Sequence, residues 1–305
     1  MGIRKVGIVG LGALGTMYGA FMTLRMKDRA LYIVADDKRI TDYKENKIYC
    51  NGQVCDFNYA TSKDISEPFD LIIFTVKFTA LKEAIETARP YIGDHTIILS
   101  MLNGIVSEEI IQRQLGIGHI LYCTVQGMDA LKEGNRSVYT NMGYVAFGEK
   151  DGQYSDAVKQ VKEFFDEIGL PYRIPENMVH QMWGKLLLNV GVNQAVAVYE
   201  TNYGGIQREG KARECMIGAM QEALLVARAE NIPMSDDEFQ NWLELLDTLN
   251  PEGKPSLRQD TEAGRKTEVE LFSGTIRELG KKHHILTPYN DYLYQKILEL
   301  ESKYL

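Results

Sequence analysis

Lys185, Asn189 and Asn193 stand at i, i+4 and i+8 in the segment WGKLLLNVGVN, and every residue between them is apolar or glycine. At about 3.6 residues per turn this spacing lays an ammonium and two carboxamides in one row along a helix. A solvated face fits poorly with the flanking LLL and VGV, and burying the row without partners would be costly. The row therefore reads as the lining of a cavity. An ammonium there can stabilise a developing alkoxide and then give it a proton, while neutral amides can hold carboxylate or hydroxyl oxygens.

A second polar cluster, SLRQDTEAGRKTEVE, covers residues 256–270. Ser256, Asp260, Gly264, Thr267 and Glu268 are expected along one side of a helix over 257–280, with the small Gly264 admitting another backbone closely. Taken alone, such charges would form a surface face.

At the other end of the chain, Gly10-Leu11-Gly12-Ala13-Leu14-Gly15 follows the run KVGIV and opens a helical stretch over 17–25. Gly10 permits a tight turn, Gly12 lets backbone approach a pyrophosphate, and Gly15 allows close packing of helix on strand. N–H groups at the helix start would face the phosphates. A strand before and a helix after separate this from a mere tight turn, so a dinucleotide is the expected ligand. Asp36 follows at the distance where a carboxylate accepts bonds from a ribose 2′-hydroxyl, which favours NADH. Lys38 and Arg39 come directly after it, and a cationic pair could clamp a 2′-phosphate, which favours NADPH.

These residues need a scaffold, and the first half of the chain supplies alternating β-branched runs and amphipathic stretches, the pattern of a parallel sheet with crossover helices. Strands are expected at 5–9, 31–35, 71–76, 96–100 and 120–125, with an antiparallel excursion between Ile48 and Tyr59 turning at Asn51-Gly52. Residues 136–140 and 144–148 read as another strand pair, and 154–168 as a closing helix. Beyond Pro171 and Pro175 the strand signal ends, and helical spacing runs through 177–198, 207–230, 236–247, 257–280 and 289–303. The expected division is a dinucleotide-binding α/β domain over 1–174, a Rossmann-type doubly wound sheet, and an all-helical substrate and catalytic domain over 175–305.

Composition removes other classes. The chain has 305 residues, with 34 Lys plus Arg against 42 Asp plus Glu, a net charge of −8. No basic block is long enough to neutralise a row of phosphates, so nucleic acid is not an expected partner. No apolar run approaches the ~20 residues of a membrane span, and MGIRKVGIVG lacks a signal-peptide pattern, so no membrane partner and a cytoplasmic location are expected. The four cysteines, Cys50, Cys55, Cys123 and Cys215, form no CxxC or Cys/His cluster. They read as structural thiols, with no metal site.

Over nearly its whole length the chain resembles the ketopantoate reductase family, 2-dehydropantoate 2-reductases that make pantoate for coenzyme A. The resemblance rests on GLGALG at 10–15, Thr75-Val76-Lys77, Leu102-Asn103-Gly104, the WGKLLLNVGVN helix, and Ser256, Gln259-Asp260, Gly264-Arg265 and Thr267-Glu268. It implies that Lys185 is the general acid and that Glu268 supports catalysis, by orienting Lys185 or by holding the substrate's far hydroxyl. It also implies that Asn103, Asn189, Asn193 and Ser256 contact substrate, and that Lys77 and Asn103 lie beside the cofactor. The family usually carries an Arg for the NADPH 2′-phosphate where this chain has Asp36. On the resemblance the expected cofactor is NADPH, with NADH close behind. The expected partner is a small 2-keto acid, and a homodimer has the Met- and Leu-rich segment 215–228 as a candidate face. Rival readings are a paralogue reducing another 2-keto acid, a β-hydroxyacid or polyol dehydrogenase, which also uses a Lys with an Asn four residues on, and a non-catalytic nucleotide sensor.

Overall fold

The computed structural model describes residues 2–26, 30–61 and 67–304. The chain divides into two compact units, Met1–Met178 and Val179–Leu305.

In the first unit, strands β1 (Lys5–Val9), β2 (Ala30–Val34), β3 (Tyr49–Cys50), β4 (Gln53–Val54), β5 (Asn58–Ala60), β6 (Leu71–Phe74), β7 (Ile97–Ser100), β8 (His119–Met128), β9 (Leu131–Glu133), β10 (Arg136–Val138), β11 (Met142–Gly148) and β12 (Tyr172–Arg173) follow one another. Eight of them form one sheet in the order β12-β11-β8-β7-β6-β1-β2-β5. The six from β8 to β5 are parallel, and β11 returns antiparallel to β8. The order reverses at β1 and β6, so the loops after these strands face the crevice in which open α/β sheets bind ligands. Helices α1 (Ala13–Arg25), α2 (Asp37–Asn46), α3 (Leu81–Ala88), α4 (Ser107–Leu115) and α5 (Asp156–Ile168) connect the strands.

The β-branched runs are buried on both faces because helices cover both sides. Leu71 and Ile73 pack with α1 and α5 residues such as Met17, Tyr18 and Phe165, whereas Ile72 and Phe74 pack with Leu81, Ile85 and Ile111 of α3 and α4. Asn51 and Gly52 both take positive φ, 46° and 78°, so the expected hairpin turn closes β3 on β4. One expected pairing is overturned. Residues 136–140 and 144–148 are not partners: β10 lies in a separate four-stranded sheet, order β4-β3-β10-β9, while β11 pairs with β8. Gly134, at φ 55°, turns β9 back on β10 first.

The second unit is helical: α6 (Met178–Leu188), a π-helical turn (Asn189–Asn193), α7 (Gln194–Val198), α8 (Tyr203–Gln207), α9 (Lys211–Ala229), α10 (Asp236–Asp247), α11 (Ser256–Glu262), α12 (Ser273–Lys282) and α13 (Pro288–Glu301). The expected helix over 257–280 is in fact two, which corrects the shared side assigned to Ser256, Asp260, Gly264, Thr267 and Glu268. After α11 the N–H of Gly264 bonds to the Thr261 carbonyl and that of Arg265 to the Asp260 carbonyl, with Gly264 at φ 61°. This is a Schellman stop, so Gly264 serves the left-handed turn and not a close backbone approach. In the segment 215–228, Cys215, Met216, Met220 and Leu224 of α9 are buried while Leu225 is exposed, and Met216 and Met220 press on Gly191 of the π-turn. Among the described residues, no helix is long and apolar enough to cross a membrane.

Candidate active site

In the first unit the glycine loop has the shape a dinucleotide needs. Gly10 is at φ 102°, and a Cβ there would meet Val76 at 2.6 Å. A Cβ on Gly15 would lie 1.9 Å from the Gly10 carbonyl oxygen, whereas on Gly12 the nearest atom would be the Thr75 carbonyl oxygen at 3.7 Å. Two glycines thus serve the turn and the packing, and Gly12 leaves its surface open for a phosphate. Gly12 caps α1 without a side-chain hydrogen bond, and the first turn of α1 holds no acidic residue. Its N–H groups and helix dipole therefore suit an anion. Thr75 fixes the loop by donating its hydroxyl to the Gly10 carbonyl at 2.7 Å. Lys77, exposed, follows at the end of β6 and starts the short turn Phe78–Ala80. Asn103, half-buried, sits in the loop after β7.

At the end of β2, Asp36 caps α2 by accepting the Arg39 N–H at 2.8 Å. The Arg39 guanidinium lies 3.1 Å from Asp36 and 3.2 Å from Glu83. The arginine of the expected phosphate clamp is thus engaged by two carboxylates, while Lys38 is exposed.

Lys132 touches the glycine loop, a contact that no sequence motif points to. From β9 its half-buried ammonium donates to the carbonyl of Leu11, inside the glycine loop. Desolvation holds its pKa below the usual lysine range, partly opposed by Cys55 and Asp42. No motif marks it, because the hairpin that delivers it lies far along the chain.

In the second unit Lys185 is half-buried on α6, and the two asparagines are the first and last residues of the π-turn. A plain α-helix rotates about 40° for every four residues, so its row would drift by about 80° between Lys185 and Asn193. The wider i→i+5 turn takes up rotation in the second step and keeps Asn193 closer in line. Asn193 Nδ2 donates to Asn189 Oδ1 at 3.3 Å. Asn189 Nδ2 is buried with no hydrogen-bond partner among the described residues. Helix α11, which begins at the exposed Ser256, packs on this turn and on α7. Glu268, half-buried, precedes a short turn, Val269–Leu271, that leads into α12.

A family model described as ketopantoate reductase PanE/ApbA matches residues 6–152, and one described as its C-terminal part matches residues 177–301. The chain belongs to the ketopantoate reductase family. That family is one of NAD(P)-dependent oxidoreductases. The chain is 27% identical over 297 residues to the 2-dehydropantoate 2-reductase of Aquifex aeolicus, with 95% of each chain covered. Its fold is similar to that of a dimeric ketopantoate reductase from Staphylococcus aureus, with TM-score 0.81 and 19% identity over 99% of this chain and 100% of the other. It is also similar to the fold of a D-mandelate dehydrogenase bound to NADH and anilino(oxo)acetate, with TM-score 0.87 and 21% identity over 98% of this chain and 99% of the other. In this ketopantoate reductase family member, the glycine loop and the Lys/Asn row lie in different units, and each has its own local support.

Proposed function

We propose that this protein reduces ketopantoate to pantoate, with Lys185 as the proton donor. The observation that carries this reading is the buried, unpartnered Nδ2 of Asn189 beside the Lys185 row, a donor that a substrate oxygen would satisfy. A bound dihydronicotinamide supplies the hydride. Lys185 stabilises the oxygen as it becomes an alkoxide and transfers a proton to it. Asn189, Asn193, Asn103 and Ser256 hold carboxylate and hydroxyl oxygens, which suits a short, polar keto acid. Glu268 orients Lys185 or accepts the substrate's far hydroxyl.

The geometry at the end of β2 supports NADH over the NADPH that the resemblance favours. A 2′-phosphate brings about −1.5 to −2 charges next to Asp36 and Glu83, and at surface dielectric each such repulsion is of order 1 kcal/mol or more. Arg39 would have to leave both carboxylates to offset it. A ribose diol meets no such conflict.

The test is to follow the absorbance of NADH and NADPH with ketopantoate and a panel of other small 2-keto acids. Ketopantoate should give the highest kcat/KM. A higher value for another keto acid transfers the reading to that substrate, and no oxidation with any of them rejects it.

A further inference from the structure

A π-turn breaks the regular hydrogen-bond ladder of its helix, so something must hold it. Here the N–H of Gln194 bonds to the Gly191 carbonyl. The Gln194 side chain, fully buried, donates through Nε2 to the Val190 carbonyl at 2.5 Å. Its Oε1 accepts the N–H of Ser273 at 3.2 Å. Ser273 is the first residue of α12, five positions past Glu268. One carboxamide therefore ties the turn carrying Asn189 and Asn193 to the segment carrying Glu268.

The tie is anchored further in. Ser273 Oγ donates to Asn290 Oδ1 at 3.1 Å, and Asn290 Nδ2 donates to the Ala219 carbonyl at 3.1 Å and to Glu222 at 2.8 Å. The Glu222 carboxyl also accepts the N–H groups of Tyr289 and Asn290, at 2.8 and 2.9 Å. A connected buried network of this kind fixes a unique geometry.

We infer that Gln194 is a positioning residue, which holds the π-turn open and fixes it against the Glu268 segment so that Asn189 and Asn193 stay aligned with Lys185. The inference rests on reading Lys185 as the proton donor. A simple packing role would need only volume at this position, whereas the positioning role needs a donor and an acceptor together.

Gln194→Glu separates the two. An ionised carboxylate accepts from Ser273 but cannot donate to Val190, and the protonated acid does both. Burial raises the pKa of the introduced carboxyl. Titratable and charged groups on the elements packed against α7, among them Glu222 and Cys215 of α9, Arg258 and Asp260 of α11, Tyr203 of α8, and Asp291, Tyr292 and Glu301 of α13, are common to both proteins. The difference between the two pH profiles therefore belongs to position 194. The variant should show near-wild-type kcat/KM for the keto acid at acidic pH and a new limb along which kcat/KM falls about tenfold per pH unit. Gln194→Leu should raise KM for the keto acid at least tenfold at every pH, with kcat changed less than threefold, and a crystal structure of it should show the turn returned to α-helical bonding. A wild-type profile in Gln194→Glu, or an unchanged π-turn in Gln194→Leu, overturns the inference. If the wild type turns over no keto acid, the proposed function fails while the crystal structure still decides this point. If Gln194→Leu does not fold, the near-isosteric Gln194→Glu remains the test.

Discussion

Asn193 donates to the side-chain oxygen of Asn189 across a π-turn, and so Asn189 is left with a buried N–H group that nothing among the described residues accepts. A buried unsatisfied donor costs about 1–3 kcal/mol, and an oxygen of the substrate would offset it. Asn189→Ala should raise KM for the keto acid about 5- to 150-fold, the equivalent of that range, and change kcat much less. Asn189→Asp should be worse, because it sets a negative charge against a substrate carboxylate. Steady-state kinetics checks both, and an unchanged KM in the two variants removes Asn189 from the substrate site.

Lys185→Ala should lower kcat by about 10²-fold or more, as expected for a positioned general acid, and leave the dissociation constant of the dinucleotide as it is. The lysine is on α6, and the glycine loop is held within the other unit by Thr75. Titration of cofactor fluorescence measures the second quantity. Turnover near wild type would remove the acid role from Lys185.

The sequence shows the sheet strands and the row-bearing helix because each is local: burial on both faces forces continuous apolar runs, and a one-sided polar row stands out against LLL and VGV. What it hides is decided by partners far along the chain. The apparent pair 136–140 and 144–148 fails because Gly134 folds β10 onto β9 first. The single helix over 257–280 fails because Gly264 sits in a left-handed stop, a role that looks the same in sequence as a packing glycine. The π-turn is invisible because i, i+4 and i+8 spacing fits an unbroken helix equally well. Lys132 is invisible because it reaches the glycine loop from a hairpin more than a hundred residues later.

Lys132 gives a prediction of its own. Its ammonium holds the Leu11 carbonyl, and a charged donor bond of this type is worth about 1.5–3 kcal/mol. Lys132→Met keeps the stem and loses the charge, so the dinucleotide should bind at least tenfold more weakly, with kcat at saturating cofactor close to wild type. Equal binding by isothermal calorimetry would make Lys132 irrelevant to the loop.

The proposed preference for NADH is tested at the pair Arg39 and Glu83, which lie 3.2 Å apart. Wild type should show the higher kcat/KM with NADH. Glu83→Gln frees Arg39 from one of its two carboxylates and removes one repulsion, so the ratio should move toward NADPH by about fivefold or more, a shift of roughly 1 kcal/mol. Asp36→Arg should move it further. Kinetics with both cofactors in the three proteins decides the matter, and a ratio unmoved by either change places the discriminating residues elsewhere.

The last prediction concerns the loop that carries Asn103. Its ends are joined by a buried cluster: Ser107 Oγ lies 2.8 Å from Ser100 Oγ and 2.9 Å from Glu108. Burial pushes the Glu108 carboxyl up to about 7, opposed in part by backbone hydrogen bonds and by the Ser107 hydroxyl. The unfolded chain titrates this group near ~4.3, so the native state keeps its proton over a range in which the unfolded state has lost it. Stability from this group is therefore fully present below ~4.3 and is lost as pH rises through about 7, by up to a few kcal/mol. Glu108→Gln holds the neutral shape at all pH. Its Tm should match wild type at pH ~4 and exceed it at pH ~8, with the difference opening between ~4.3 and about 7. Both proteins share every other titrating group, so melting curves that stay parallel across this range would mean that Glu108 does not carry the proton.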